Sequence, residues 1–228
     1  MIKEQSGNVI YYVLIAVALL AALSYVVAQS GRGGFSSITK DRAGLIASEI
    51  LDYSNMIETA MGQLRLRGCG LEEVSFENAV VDAYENPFSP SDMSCHIFDL
   101  NGGALNWQSI PQGAKAADIR YEHYYFNATN NKTGTVSSSA DLIMFAEVNL
   151  DTCAAINRYL NVDPASPPLG DPNGFHFPDD AHAYKGDLST VSGGILPYDA
   201  YLSGCFQDSS VGNESSGRYY FYKVLAES

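Results

Sequence analysis

Hydrophobic and polar positions follow different rules in different parts of this chain. Val9 to Ala28 reads VIYYVLIAVALLAALSYVVA, twenty residues without a charge. Beyond it, Ile46, Ile50, Tyr53, Ile57, Ala60 and Leu64 step by fours and threes, which places them on one face of a helix. Asp41, Arg42, Glu49, Asp52 and Glu58 fall off that stripe, on the side expected to be solvated. Ser36 or Ser37 suits its start, and Gly68 and Gly70 suit its end. From about residue 94 the period shortens. Cys95–Leu100, Ala104–Ile110, Ile119–Phe126 and Leu142–Val148 read as strands, with Asn101-Gly102-Gly103 as a hairpin turn between the first two. Asn130–Gly134 reads as another turn. Asp151–Leu160 reads as a short helix with Asn149 or Asp151 at its cap, and Arg218–Leu225 as a closing strand. Residues 163–199, rich in Pro and Gly, read as a long irregular excursion of the kind that often carries function. The fold class predicted is α+β.

Twenty helical residues rise about 30 Å, the thickness of a bilayer's hydrocarbon core. Eleven of the twenty are Val, Ile or Leu, and their summed insertion energy is on the order of −3 to −7 kcal/mol. Tyr11, Tyr12 and Tyr25 lie near the ends, where amphipathic rings prefer the interface. The block reads as a cleaved secretory signal or as a plain membrane anchor. The first reading is poor, because the apolar run is long and no clean small-x-small site follows it. Gln29–Gly34 holds three glycines and predicts a bend or a melted stretch, since glycine is costly inside a helix.

Charge sharpens this layout. The chain carries 13 Lys plus Arg and 26 Asp plus Glu, a formal charge of −13. Lys3 and Glu4 cancel, so all of that charge lies beyond the apolar block. An acidic body lacks the basic footprint of a nucleic-acid binder. With 15 Tyr and 10 Phe it is too aromatic for a disordered chain.

Residues 4–16, EQSGNVIYYVLIA, resemble the N-terminus of type IV pilin-like subunits, particularly the Flp/Tad-type pilins and pseudopilins. Those have a short polar leader ending in Gly, followed by an apolar helix with an early Tyr. The resemblance implies cleavage between Gly7 and Asn8 by a membrane peptidase, and a helix that first anchors the subunit and later packs in a filament. Val9, Tyr12, Leu14, Leu19, Leu23 and Val27 would line that helix. The family's Glu at the fifth mature position is absent: Tyr12 stands there, and Glu4 precedes the Gly. In an uncut subunit Glu4 would serve instead. The layout implied is a tail or leader (1–8), a transmembrane or filament-core helix (9–28), a Gly-rich bend (29–36) and a disulfide-stabilised extracytoplasmic α+β domain (37–228), its long helix packed on an antiparallel sheet. The implied partners are other copies in a homo-oligomeric helical filament, the bacterial inner membrane and pilus assembly machinery. The implied location is the inner membrane with the N-terminus inside, then an extracellular filament. The alternative is a single-pass anchored binding protein that does not polymerise.

Cys69, Cys95, Cys153 and Cys205 all lie beyond the apolar block. An even number with no C-x-x-C pair suits two disulfides in an oxidising compartment better than zinc; buried free thiols are the other reading. Among three connectivities the expectation is neighbour pairing, Cys69–Cys95 and Cys153–Cys205. Bridges would place the body outside the cytoplasm. Asn127, Asn131 and Asn213 head Asn-x-Ser/Thr triplets, glycan acceptors in a eukaryote and chance matches in a bacterium.

No nucleophile–base motif, metalloprotease helix or phosphate loop occurs, and the expectation is a non-enzyme without cofactor. His96 and His123 fall in strand patterns. Residues 170–187 gather His176, His182, Asp171, Asp179, Asp180 and Asp187. Several carboxylates on one loop suit Ca²⁺, and His with carboxylate suits Zn²⁺; a solvated surface loop is the plainer reading. Tyr121, Tyr124 and Tyr125, and Tyr219, Tyr220 and Tyr222, cluster in strands. They either pack one face of the sheet or serve protein–protein contact.

Overall fold

The computed structural model describes residues 7–119, 121–132, 140–162, 183–188, 195–196, 201–208 and 217–227; within these, side chains are described outside 7–10, 26–39, 82, 130–132 and 195–196. The chain divides into two compact units, Met1–Arg42 and Ala43–Ser228. Helix α1, Gly7–Leu66, contributes residues to both. It is helical across 29–36, so the glycines there do not melt it as their propensity predicts.

Within the second unit the stripe on α1 is buried as its period requires. Ile50, Tyr53, Ile57, Ala60 and Leu64 are at most 3% exposed, and Ala43, Ala47 and Met61 widen the stripe. Ile46 is only partly buried. Asp41, Arg42, Glu49 and Asp52 are exposed. Gly68, at φ +103°, ends the helix. Its N–H donates to Arg65 O (3.0 Å) and the Cys69 N–H to Leu64 O (3.1 Å). That pair of bonds satisfies carbonyls the helix would otherwise orphan, and it needs a left-handed residue that only Gly supplies cheaply.

Among the described residues five strands follow: β1 Tyr125–Lys132, β2 Asp141–Val148, β3 Ile195–Leu196, β4 Ser203–Gln207 and β5 Tyr219–Ala226. Helix α2, Leu150–Tyr159, lies between β2 and β3. The sheet order is β3-β1-β2-β5-β4, antiparallel except for the two-residue β3, which pairs parallel with β1. All of β2 is buried, as is β5 from Tyr220 onward. These are the central strands, covered on both faces, and their near-continuous hydrophobic runs reflect that. The fold class is α+β, as expected.

Several sequence expectations fail here for definable reasons. Cys95–Leu100 and Ala104–Ile110 are not strands. Their alternation reflects one-sided burial of turns: Cys95 and Ile97 enter the core and pairing is limited to a single bridge, Ser75 with His96. The turn between them does exist. Gly102 N–H donates to Asp99 O, and Gly103 N–H to His96 O. A Cβ on Gly102 would lie 2.0 Å from His96 O, so this close approach requires glycine. Strand β1 starts at Tyr125, not near 119, and runs through Asn127 to Lys132, part of which reads as turn; pairing with β2 overrides the poor strand propensity of its asparagines. Strand β4 was not anticipated, and β3 falls inside the expected irregular excursion.

Helix α2 matches expectation closely. Asn149 caps it by accepting from Thr152 N–H at 2.9 Å. The Asn157 side chain then donates to Cys205 O (2.9 Å) and accepts from Cys205 N–H (2.8 Å). A fully buried carboxamide thus imitates a neighbouring strand along the edge of β4, which would otherwise present unpaired backbone groups.

Candidate functional site

Tyr11 to Tyr25 of α1 are fifteen consecutive exposed residues. Ten are large and apolar, from Ile15 at 40% exposure to Leu20 at 68%. They include the predicted Tyr12, Leu14, Leu19 and Leu23. There is no polar face: adjacent positions such as Tyr11–Ile15 and Leu19–Leu20 point around the whole helix. A helix that is apolar all round belongs in a core or a membrane. Full burial of such a side chain contributes about 1.5–3 kcal/mol. Leaving ten of them in water therefore costs at least ~10 kcal/mol, as much as the whole stability of an ordinary domain. The segment demands cover.

Among the described residues no helix is long and apolar enough to cross a membrane. Tyr11–Tyr25 rises about 22 Å, short of the roughly 30 Å of hydrocarbon. Gly7 and Asn8 open α1 as helical backbone, and Val9 and Val27 are helical; the side chains of all four lie outside the description, as does Glu4 entirely.

The second unit is locked by both expected disulfides, Cys69–Cys95 and Cys153–Cys205. The first joins the end of α1 to the 95–105 turns, the second joins α2 to β4. The tyrosine clusters serve the core. Tyr124, Tyr125, Tyr220 and Tyr222 are at most 7% exposed, and Tyr124 packs on Tyr53 with ring centroids 4.9 Å apart. The contact-surface reading is overturned for these four. Burial pushes the Tyr53 hydroxyl up to about 12, although the Gln108 N–H that it accepts opposes the shift. Tyr124, Tyr184 and Tyr220 are raised further, again chiefly by burial.

His96 is buried, its Nδ1 4.0 Å from a Glu77 carboxylate oxygen, and His123 lies beside Trp107 at 6.2 Å. Both lie outside the strands, contrary to expectation. Asn127 is fully buried, which removes it as a glycan acceptor. Asp171, Asp179, Asp180, His176 and His182 lie outside the described residues, and Asp187 is exposed. Among the described residues no three His, Cys, Asp or Glu gather to hold a metal.

Two charges inside apolar strands were not singled out beforehand, although a lone Glu in LIMFAEV and a lone Lys in RYYFYKVL signal buried pairs. Glu147, on β2, is fully buried and takes a hydrogen bond from Arg218 and another from Tyr121 N–H at 3.2 Å. Arg218 also reaches Asp118 at 3.4 Å. The three residues line a pocket of about 350 Å³ beside Asn149 and Leu150. No nucleophile–base pair lines it, and the Arg218 guanidinium already binds both carboxylates. The arrangement ties Asp118 and Tyr121 to β2 and to the residue that leads into β5. On β5, Lys223 pairs with Glu58 of α1 at 2.8 Å, so Glu58 does not stand free on the solvated face as its position off the stripe suggests.

No protein-family model, curated protein or solved structure matches this chain.

Proposed function

We propose that the chain is the structural subunit of a type IV pilus-like filament, a pilin or pseudopilin. One observation carries this reading: a helical segment exposed at every position from Tyr11 to Tyr25, with ten large apolar side chains and no polar face, on a chain whose remaining described hydrophobics largely form a core closed by two disulfides. Such a segment gains most by packing against like segments. Before assembly the same residues, with the rest of Val9–Ala28, would sit in the bacterial inner membrane, N-terminus inside. Work is done by moving a helix from lipid to a filament core, and the acidic body forms the outer surface. Cleavage between Gly7 and Asn8 would release residues 1–7.

The second reading is a single-pass anchored binding protein. It is favoured by the absence of any acidic residue in Val9–Ala28, so that Tyr12 stands where the family carries its Glu. Negative-stain microscopy of sheared cells, with antibody against the body, separates the two. Labelled filaments are expected. An uncut, monomeric species found only in membranes would sink the filament reading and leave the anchor.

A further inference from the structure

Lys223 is the only charged residue in β5, and its side chain is 11% exposed. Its stem runs within a buried strand, and its Nζ emerges between two residues of α1. Nζ donates to Glu58 Oε2 at 2.8 Å and to Asn55 Oδ1 at 3.1 Å. Asn55 and Glu58 are three residues apart, neighbours on one helical face. An amine, a carboxamide and a carboxylate therefore meet at hydrogen-bond distance, with the amine held by its buried stem. The carboxamide carbon lies one bond beyond Oδ1, so a movement of Nζ by about 1 Å or less brings it to the roughly 3–3.5 Å at which an amine attacks a carbonyl.

We propose that Lys223 and Asn55 become joined by an isopeptide bond, with Glu58 moving the protons. The Lys223 ammonium gives one proton to Glu58. The freed lone pair forms the new bond to Asn55 Cγ, and the carbonyl electrons move to Oδ1. When they return, the bond from Cγ to the carboxamide nitrogen breaks. Glu58 delivers its proton to that nitrogen, which takes a second from the attacking nitrogen and departs as ammonium. Ammonium plus carboxamide becomes secondary amide plus ammonium, and nothing is oxidised or reduced. The partial exposure of Glu58 (41%) gives the leaving group a way out to solvent. The bond ties α1 to the last strand, 168 residues later, so a pull on the helix reaches the sheet through a covalent link. It forms whether or not the chain polymerises.

Intact mass of the full chain, denatured and reduced, tests this. The expected mass is lower than that of the sequence by one ammonia, with a branched peptide joining the segments around 55 and 223 after digestion. Asn55→Ala and Lys223→Arg are expected at full mass. Glu58→Gln, which keeps shape and hydrogen bonding, is expected to retain its ammonia. Full mass in the native chain overturns the proposal. A deficit that survives in Asn55→Ala overturns it too, because the ammonia then came from another amide. Bond formation at the native rate in Glu58→Gln overturns the role of Glu58.

Discussion

The two units handle hydrophobic side chains in opposite ways. In Ala43–Ser228 the periodic residues of α1, both faces of β2 and nearly all of β5 are buried, and the polar atoms that enter with them find partners such as Asn157 with Cys205 and Glu147 with Arg218. In the first unit, Tyr11–Tyr25 exposes every side chain, and most of them are apolar. Both stretches of α1 are helical, so local structure does not distinguish them. The arrangement of apolar positions does. A stripe can be satisfied by the chain's own sheet, whereas an all-round apolar surface needs lipid or other copies to cover it.

The contrast breaks most visibly if charges are placed in the first region. Leu14→Arg with Leu19→Arg costs roughly 6 kcal/mol on the insertion scale, about the whole gain of the block. We expect the protein to leave the membrane fraction and form no filaments. Its thermal transition, which reports the second unit, should stay within a degree or two. A comparable loss of melting temperature would show that the two regions are not energetically separate.

Within the second region, replacing both Cys153 and Cys205 by Ser removes the bridge across a separation of 52 residues, worth about 4 kcal/mol by loop entropy. The Cys69–Cys95 bridge spans 26 and is worth about 3.5 kcal/mol. Urea titration should rank them in that order, with membrane partition unchanged.

Alkaline pH probes the same core. Tyr53 titrates near 12 when folded and near 10 when unfolded. The unfolded state ionises first, so stability is intact below pH 10 and falls between about pH 10 and 12. The loss from this residue is about 2–3 kcal/mol, and Tyr53→Phe should flatten the decline measured by urea titration across that range. The smallest effect expected is Gly68→Ala. Its left-handed backbone should cost about 1 kcal/mol, read as a lower urea midpoint.

The second half of α1, β2, α2 and β5 were legible because a single period or a near-continuous apolar run governs each of them. The disulfide pairing followed from choosing neighbours. Cys95–Ile110 misled because alternating burial looks the same in a turn as in a strand. The edge strand β4 was illegible: SGCFQ carries a glycine and little β propensity, and it is held by β5, the bridge to Cys153 and the Asn157 carboxamide. Asn55, Glu58 and Lys223 were invisible as a group because their meeting depends on where β5 passes α1.

Sequence alone determined that this chain has an apolar, uncharged helix and an acidic, aromatic body, because hydrophobic period and charge are local properties. Only the tertiary structure decided which tyrosines are core, which charges are paired and which alternating segment becomes a strand. Those outcomes depend on which residues distant in the chain arrive as neighbours, and burial makes an unpaired charge or backbone group too costly for any other arrangement to persist.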